Sequence, residues 1–278
     1  MKKRIGILLL AISSMSMTGC DFIVVGREKA LERIYEISDN LVYTDRIQSL
    51  YAKSSKEVTE ESKTGDEETK KIHTTEWVLK ILTMLNYIYY RKTEKIDDVM
   101  SDTTTIISET EFWNYKLGSK YYFVNSEING SETTKTYTVE KGSTELREKV
   151  NKKISDAVDV CFNGADRDEY IDQTIDIIER DKNEDDLSVK YVSYGGGNLS
   201  VNAIKEVSET NEGVTTSLEE SYHFEWKRYS LKKEGSIITK TVINDETGDY
   251  TKTTTDTSYW FKTFFIPSFP KLKQFNKN

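Results

Sequence analysis

Cysteine, proline and histidine are scarce in this chain, with two of each among 278 residues. Two cysteines, Cys20 and Cys161, cannot form the disulfide framework of a small secreted scaffold. Two prolines and no long Gly/Ser tract argue against a disordered stalk. His73 and His223 lie far apart in sequence and cannot supply the three or four convergent ligands of a zinc centre. No metal or cofactor is expected. Long apolar runs are also missing. The run from Ile7 to Ile12 is well short of the roughly 20 residues of a membrane-spanning helix. Excess positive charge is missing too, since the formal net charge is −8. That balance disfavours nucleic acid, and by the same logic an anionic lipid surface.

Catalytic signatures are equally thin. There is no Gly-x-Ser-x-Gly elbow. Tyr194-Gly195-Gly196-Gly197-Asn198 lacks the Lys-Ser/Thr of a phosphate loop and precedes a strand pattern, so it reads as a turn or bulge. The acidic groups Asp166 to Glu169 and Glu184 to Asp186 do not follow the spacing of a calcium loop. They read as a capped helix start and a solvated loop. Cys161 could be a nucleophile only with a nearby histidine, and it falls on an apolar helix face where a thiol acts as a small core residue. The chain is therefore not expected to be an enzyme.

What is present begins at the N-terminus. Lys2, Lys3 and Arg4 precede the short apolar run, and Met17-Thr18-Gly19-Cys20 follows it. This is the layout of a secretory signal peptide, residues 1–19. The tetrapeptide resembles the bacterial lipobox. The resemblance implies that Cys20 takes diacylglycerol before cleavage and that the protein is lipid-anchored at the extracytoplasmic face of a cell membrane. Two acyl chains make a stable anchor where one is marginal. Removing 19 of the 278 residues, three basic and none acidic, leaves 259 residues and a charge of −11. Residues 20–26 would form the tether and residues 27–278 a single α+β domain.

Along that domain, Leu31, Ile34, Tyr35, Leu41 and Val42 recur near helical spacing and predict a helix over 27–53. Residues 56–71, centred on Thr64-Gly65-Asp66, read as a strand hairpin or a mobile loop. Trp77, Ile81, Leu85 and Ile88 predict a helix over 75–86, with a strand after it. Thr103 to Tyr115 and Lys120 to Ser126 read as strands, Asn129-Gly130 as a hairpin turn, and Thr133 to Glu140 as the return strand. Ser143 and Asp166 can cap two helices within 143–182. Ile171, Ile175 and Ile178 line one face of the second. From Leu187 to Phe265 strands alternate with turn signals at Gly195-Gly196-Gly197, Glu212-Gly213, Glu234-Gly235 and Thr247-Gly248. The fold class expected is α+β, a curved antiparallel sheet with helices packed on one face.

Two aromatic stripes stand out: Tyr222, Phe224 and Trp226 on one face of one strand, and Tyr259, Phe261 and Phe265 on one face of the last. They either pack against helices or line a cavity for a greasy ligand. In organisation the mature chain is similar to the LolA/LprG-type carriers of lipids and lipoproteins. The likeness rests on a helix right after the anchor, helices interrupting the strands, and a four-strand meander ending at Ile266-Pro267-Ser268-Phe269-Pro270. It implies a half-barrel, plugged by helices, that binds a lipid or another hydrophobic ligand without catalysis. The alternative is a surface lipoprotein with a fully packed core that contacts another protein.

Overall fold

The computed structural model describes residues 23–40, 49–129, 132–161, 164–193, 197–227, 231–262, 267, 269 and 271–275. Side chains at 83, 129, 132–133, 153–161 and 164–168 are outside that description. Cys20, Phe265, Ile266 and the glycines at 195 and 196 lie outside the described residues, as does the side chain of Cys161.

The strands are β1 (Ile23–Val24), β2 (Ser49–Thr64), β3 (Glu67–Leu82), β4 (Tyr87–Asp98), β5 (Thr103–Leu117), β6 (Lys120–Asn129) and β7 (Glu132–Lys141), then β8 (Leu187–Ser193), β9 (Leu199–Asn211), β10 (Val214–Trp226), β11 (Leu231–Asn244) and β12 (Tyr250–Lys262). The helices are α1 (Arg27–Asp39), α2 (Thr144–Cys161) and α3 (Gly164–Arg180). The twelve strands among the described residues form one open antiparallel sheet in the order β1-β8-β9-β10-β11-β12-β2-β3-β4-β5-β6-β7. Two meanders, β2 to β7 and β8 to β12, are joined where β12 pairs β2. The chain leaves the first meander at one edge and re-enters near the other, and α2 and α3 make that crossing.

Glycine fixes the tightest of these turns. Glu212 and Gly213 both have positive φ, 50° and 75°, as the two-residue turn between β9 and β10 requires. Gly65, at φ 61°, does the same between β2 and β3. Residues 56–71 are thus a hairpin, in register from Ser49 opposite Leu82 to Thr64 opposite Glu67.

Several expectations are corrected. The first helix ends at Asp39, and Ser49 to Lys53 are strand. Its buried stripe is Ala30, Ile34 and Ile37, while Tyr35 faces solvent. Residues 75–82 belong to β3, followed by a short 3-10 turn, Thr83–Leu85. Trp77 and Ile81 are four apart, an even spacing that satisfies a strand face as well as a helix face. Asn129 ends β6 opposite Glu132, as a hairpin here requires, and Gly130 of the Asn-Gly signal lies outside the described residues. Glu234-Gly235 is no turn: both residues lie inside β11, with Gly235 paired to His223 and Ser258. Asp166 is the third residue of α3, not its cap. Ser143 does cap α2, accepting a hydrogen bond from the Leu146 N–H at 3.1 Å. The meander expected from residue 199 onward is present as β9 to β12.

The largest core joins Ala30, Ile34 and Ile37 of α1, and Ile171, Ile177 and Ile178 of α3, to Leu199, Val201, Phe224, Trp226, Phe261 and Leu79 of the sheet. The registers put these strand positions on one side of the sheet. Leu146 and Val150 of α2 pack with Tyr121 and Phe123 further along that side. The opposite side carries a separate aromatic cluster around Tyr87, Tyr115, Val124 and Phe275.

Candidate functional site

The expected aromatic stripes lie together on the helix-facing side. Phe224 of β10 and Tyr259 of β12 flank Glu234 of β11, and Phe261 pairs with Ala52 of β2. Phe224, Trp226, Tyr259 and Phe261 are buried, and Tyr222 is half-buried. Their surroundings are specific. The Trp226 Nε1–H, in a side chain with 0 % exposure, donates to Thr174 Oγ1 at 3.2 Å. Thr174, itself buried, donates to the Tyr170 carbonyl at 2.7 Å. The Tyr170 ring stacks on Tyr259 at 5.9 Å, and Trp77 approaches Tyr259 at 6.2 Å. One turn of α3 is therefore fastened to β10 and β12 by a hydrogen bond and a ring stack.

Sequence reasoning missed Glu234 at the centre of this strip. It is buried and accepts a long hydrogen bond from Thr257 Oγ1 at 3.4 Å. Burial pushes its carboxyl up to about 7, and Asp256 adds to the shift. Desolvation favours the neutral acid over the carboxylate. The signal was available once β11 was in register: Glu234 sits between Phe224 and Tyr259.

The mouth of the helix layer is held by charge. Arg180, ending α3, forms ion pairs with Glu184 at 3.1 Å and Glu220 at 3.2 Å. Lys205 reaches Glu184 at 2.8 Å. The hydrogen bonds from Arg180 and Lys205 hold the Glu184 carboxyl down to about 2. The acidic run 184–186 thus does structural work for the start of β8. The Arg27 Nε–H donates to the Ile178 carbonyl at 2.8 Å, joining α1 to the end of α3.

His73 lies on β3 near Glu60, and His223 on β10. Nδ1 of His223 meets Asn202 Oδ1 at 2.6 Å, and its Nε2 is buried. Burial, then Lys233, holds the imidazole below its ordinary pKa. No group of three or more His, Cys, Asp or Glu that could hold a metal ion occurs among the described residues. A pocket of about 160 Å³ lies between β6, β7 and α2, lined by Phe123, Thr138, Leu146, Lys149 and Val150 among others.

The other side of the sheet was not anticipated. One cross-strand row runs Lys262, Tyr51, Lys80, Tyr89, Trp113 over β12, β2, β3, β4 and β5. Lys262 Nζ lies 5.0 Å from the Trp260 ring and 5.1 Å from the Tyr51 ring. Lys80 Nζ lies 5.3 Å from Tyr51 and 5.0 Å from Tyr89. Lys53 Nζ lies 5.7 Å from the Trp260 ring. The ammonium group of Lys80 is held below its ordinary pKa by burial and by Lys262. Tyr89 is pushed up to about 12 by burial and Glu111. Nothing in the alternation of β2 or β3 alone reveals this row, because it exists only across five strands.

No family model matches the chain, and no curated protein matches it.

Proposed function

We propose that this chain is a lipoprotein of the cell envelope, held at the membrane through Cys20, that works by presenting surfaces of a curved, half-barrel-like sheet rather than by catalysis or by storing a ligand inside it. The observation that carries this reading is the state of Trp226. A residue bordering space for an acyl chain would have one side free. Trp226 is enclosed and its indole N–H is hydrogen-bonded to α3. That enclosure favours the packed core over the lipid carrier. The surface carries aromatic area of the kind that interfaces use: Tyr51, Tyr89, Trp113 and Trp260 are only partly buried.

The anchor is tested by Cys20→Ser. Incorporation of radioactive fatty acid is expected to cease and unprocessed precursor to accumulate. Normal labelling and maturation of that variant would remove the lipoprotein reading. The interaction reading is tested by crosslinking the anchored protein in its own membrane with a probe placed at Trp113. Capture of a defined neighbour is expected, and it should be lost when the probe is moved to buried Trp226.

A further inference from the structure

Net charge hides how the charges are arranged along the strands. The sheet has two ends. At one end lie the hairpin connections β3–β4 and β5–β6, the start of β2 and the end of β12. At the other lie the connections β2–β3, β4–β5, β9–β10 and β11–β12. The described connections of this second end hold Asp66, Asp102, Glu212, Asp245, Glu246 and Asp249 and no basic residue. Those described at the first end hold no acidic residue. Lys53, Lys80 and Lys262 stand close to that end and rest on aromatic rings, with no carboxylate paired to them among the described residues. Lys116 and Lys120 flank the β5–β6 turn.

The same end is apolar at its tip. Met84, in the β3–β4 connection, is 78 % exposed, and Leu117, entering the β5–β6 turn, is 53 % exposed. Exposed Phe269 sits on Tyr87 at 5.4 Å and Tyr115 at 4.9 Å, beside these two turns. Exposed apolar residues occur at the acidic end as well. Met100 is one, but it lies between Asp98 and Asp102, and its N–H donates to the Asp98 carboxylate.

We propose that the basic end of the β12-β2-β3-β4-β5 strands docks on an anionic phospholipid bilayer. Three properties converge there and nowhere else among the described residues. Met84, Leu117 and Phe269 supply apolar groups short enough to enter the headgroup boundary. Tyr51, Tyr89, Trp113 and Trp260 supply rings of the amphipathic kind that settle at a membrane interface. Lys53, Lys80 and Lys262 supply cations that attract anionic lipid over the distance of a Debye length. The acidic end is repelled by the same surface, so attraction and repulsion both set one orientation. The chain's overall acidity therefore does not exclude an anionic lipid surface: the charge is polarised along the strands. Ile23 and Val24, which pair with Ser193 and Val192 of β8, bring the N-terminal segment in at that same end of the sheet. The inference borrows its setting from the lipoprotein reading, but its chemistry does not need a lipid on Cys20.

The test uses residues 20–278 carrying Cys20→Ser, so that neither a covalent lipid nor the basic, apolar segment 1–19 contributes. Co-sedimentation is measured with vesicles of phosphatidylcholine alone and of phosphatidylcholine mixed with phosphatidylglycerol. Binding is expected to rise with phosphatidylglycerol and to fall with added salt. K80Q/K262Q is expected to weaken the phosphatidylglycerol-dependent binding about thirtyfold, at about fivefold per lysine near the surface. M84D is expected to weaken binding without abolishing salt dependence. K71Q/K240Q, away from that end, is expected to bind like the parent. Folding of each variant is checked by its thermal transition. The proposal is overturned if the parent does not distinguish the two vesicles, or if K80Q/K262Q and K71Q/K240Q lose binding equally. Full binding to the soluble phosphatidylglycerol headgroup would also overturn it, since the apolar tip would then be idle. Loss of lipidation would leave all of these outcomes unchanged, so the two readings fail separately.

Discussion

The two sides of this sheet use aromatic residues in opposite ways. On the helix-facing side, rings are sealed: Trp226 donates to Thr174, and Tyr259 stacks under Tyr170. On the other side, Tyr51, Tyr89, Trp113 and Trp260 are only partly buried: they meet edge-on in pairs and are overlaid by cations, as Lys80 and Lys262 lie over Tyr51. A ring enclosed by other apolar groups and a satisfied hydrogen bond stabilises the fold. A partly buried ring overlaid by an ammonium group stabilises it less and keeps part of its surface available to something else. The difference shows that an aromatic stripe in a sequence does not reveal a site. What covers each ring does.

The comparison is broken most strongly at Trp226. Trp226→Ala is expected to cost about 3–5 kcal/mol, read by urea denaturation, and to leave Thr174 without its donor. Trp113→Ala, on the open side, is expected to cost roughly 1 kcal/mol. Equal losses would mean that the two sides are equally sealed. The next effect is on pH. Glu234 is raised from its ordinary 4.5 to about 7 by burial, so between those values the folded state keeps a proton that the unfolded chain has lost. Stability is greatest below the unfolded value and falls as pH rises towards about 7. The loss is on the order of 3 kcal/mol. Glu234→Gln should flatten that slope and leave the protein more stable than the parent in mildly alkaline solution, as shown by paired denaturation curves. A smaller effect is expected at the mouth of the helix layer. Arg180→Met should cost about 1 kcal/mol and weaken the docking of α3. Glu184 is held down to about 2, so its contribution is present above its ordinary value and is lost as pH falls towards 2. The variant should show a smaller acid sensitivity, because Lys205 still holds Glu184. The smallest effect is expected on the open side, where Lys80→Gln should change stability by less than about 0.5 kcal/mol because it removes a cation already crowded by Lys262.

Sequence legibility also differed between regions. From Leu199 onward, alternation and glycine turns agree, and Tyr222, Phe224 and Trp226 can be assigned to one face directly. The strip formed by β2 and β3 was harder. Leu50 and Ala52 continue what looks like a helix from Arg27, and the even spacing of Trp77 and Ile81 fits helix and strand alike. Tertiary pairing with β12 and β4 decided those residues. The aromatic strip was legible because it runs along single strands. Glu234 and the Lys262-Tyr51-Lys80-Tyr89 row were not, because each is assembled across strands whose register no local pattern reports. The Glu234-Gly235 dipeptide misled in the same way: it has turn composition but sits opposite His223 in mid-strand.

The central claim is that the helix-facing side of the sheet is a filled core and that function belongs to the outer surfaces. Titration of the delipidated protein with a fluorescent fatty acid, followed by displacement with unlabelled fatty acid, tests this most directly. The account predicts no saturable, displaceable uptake, and no change when Trp226 is replaced by Phe. Saturable one-to-one uptake that is lost in Trp226→Phe would contradict it, and would make the aromatic strip the lining of a lipid site.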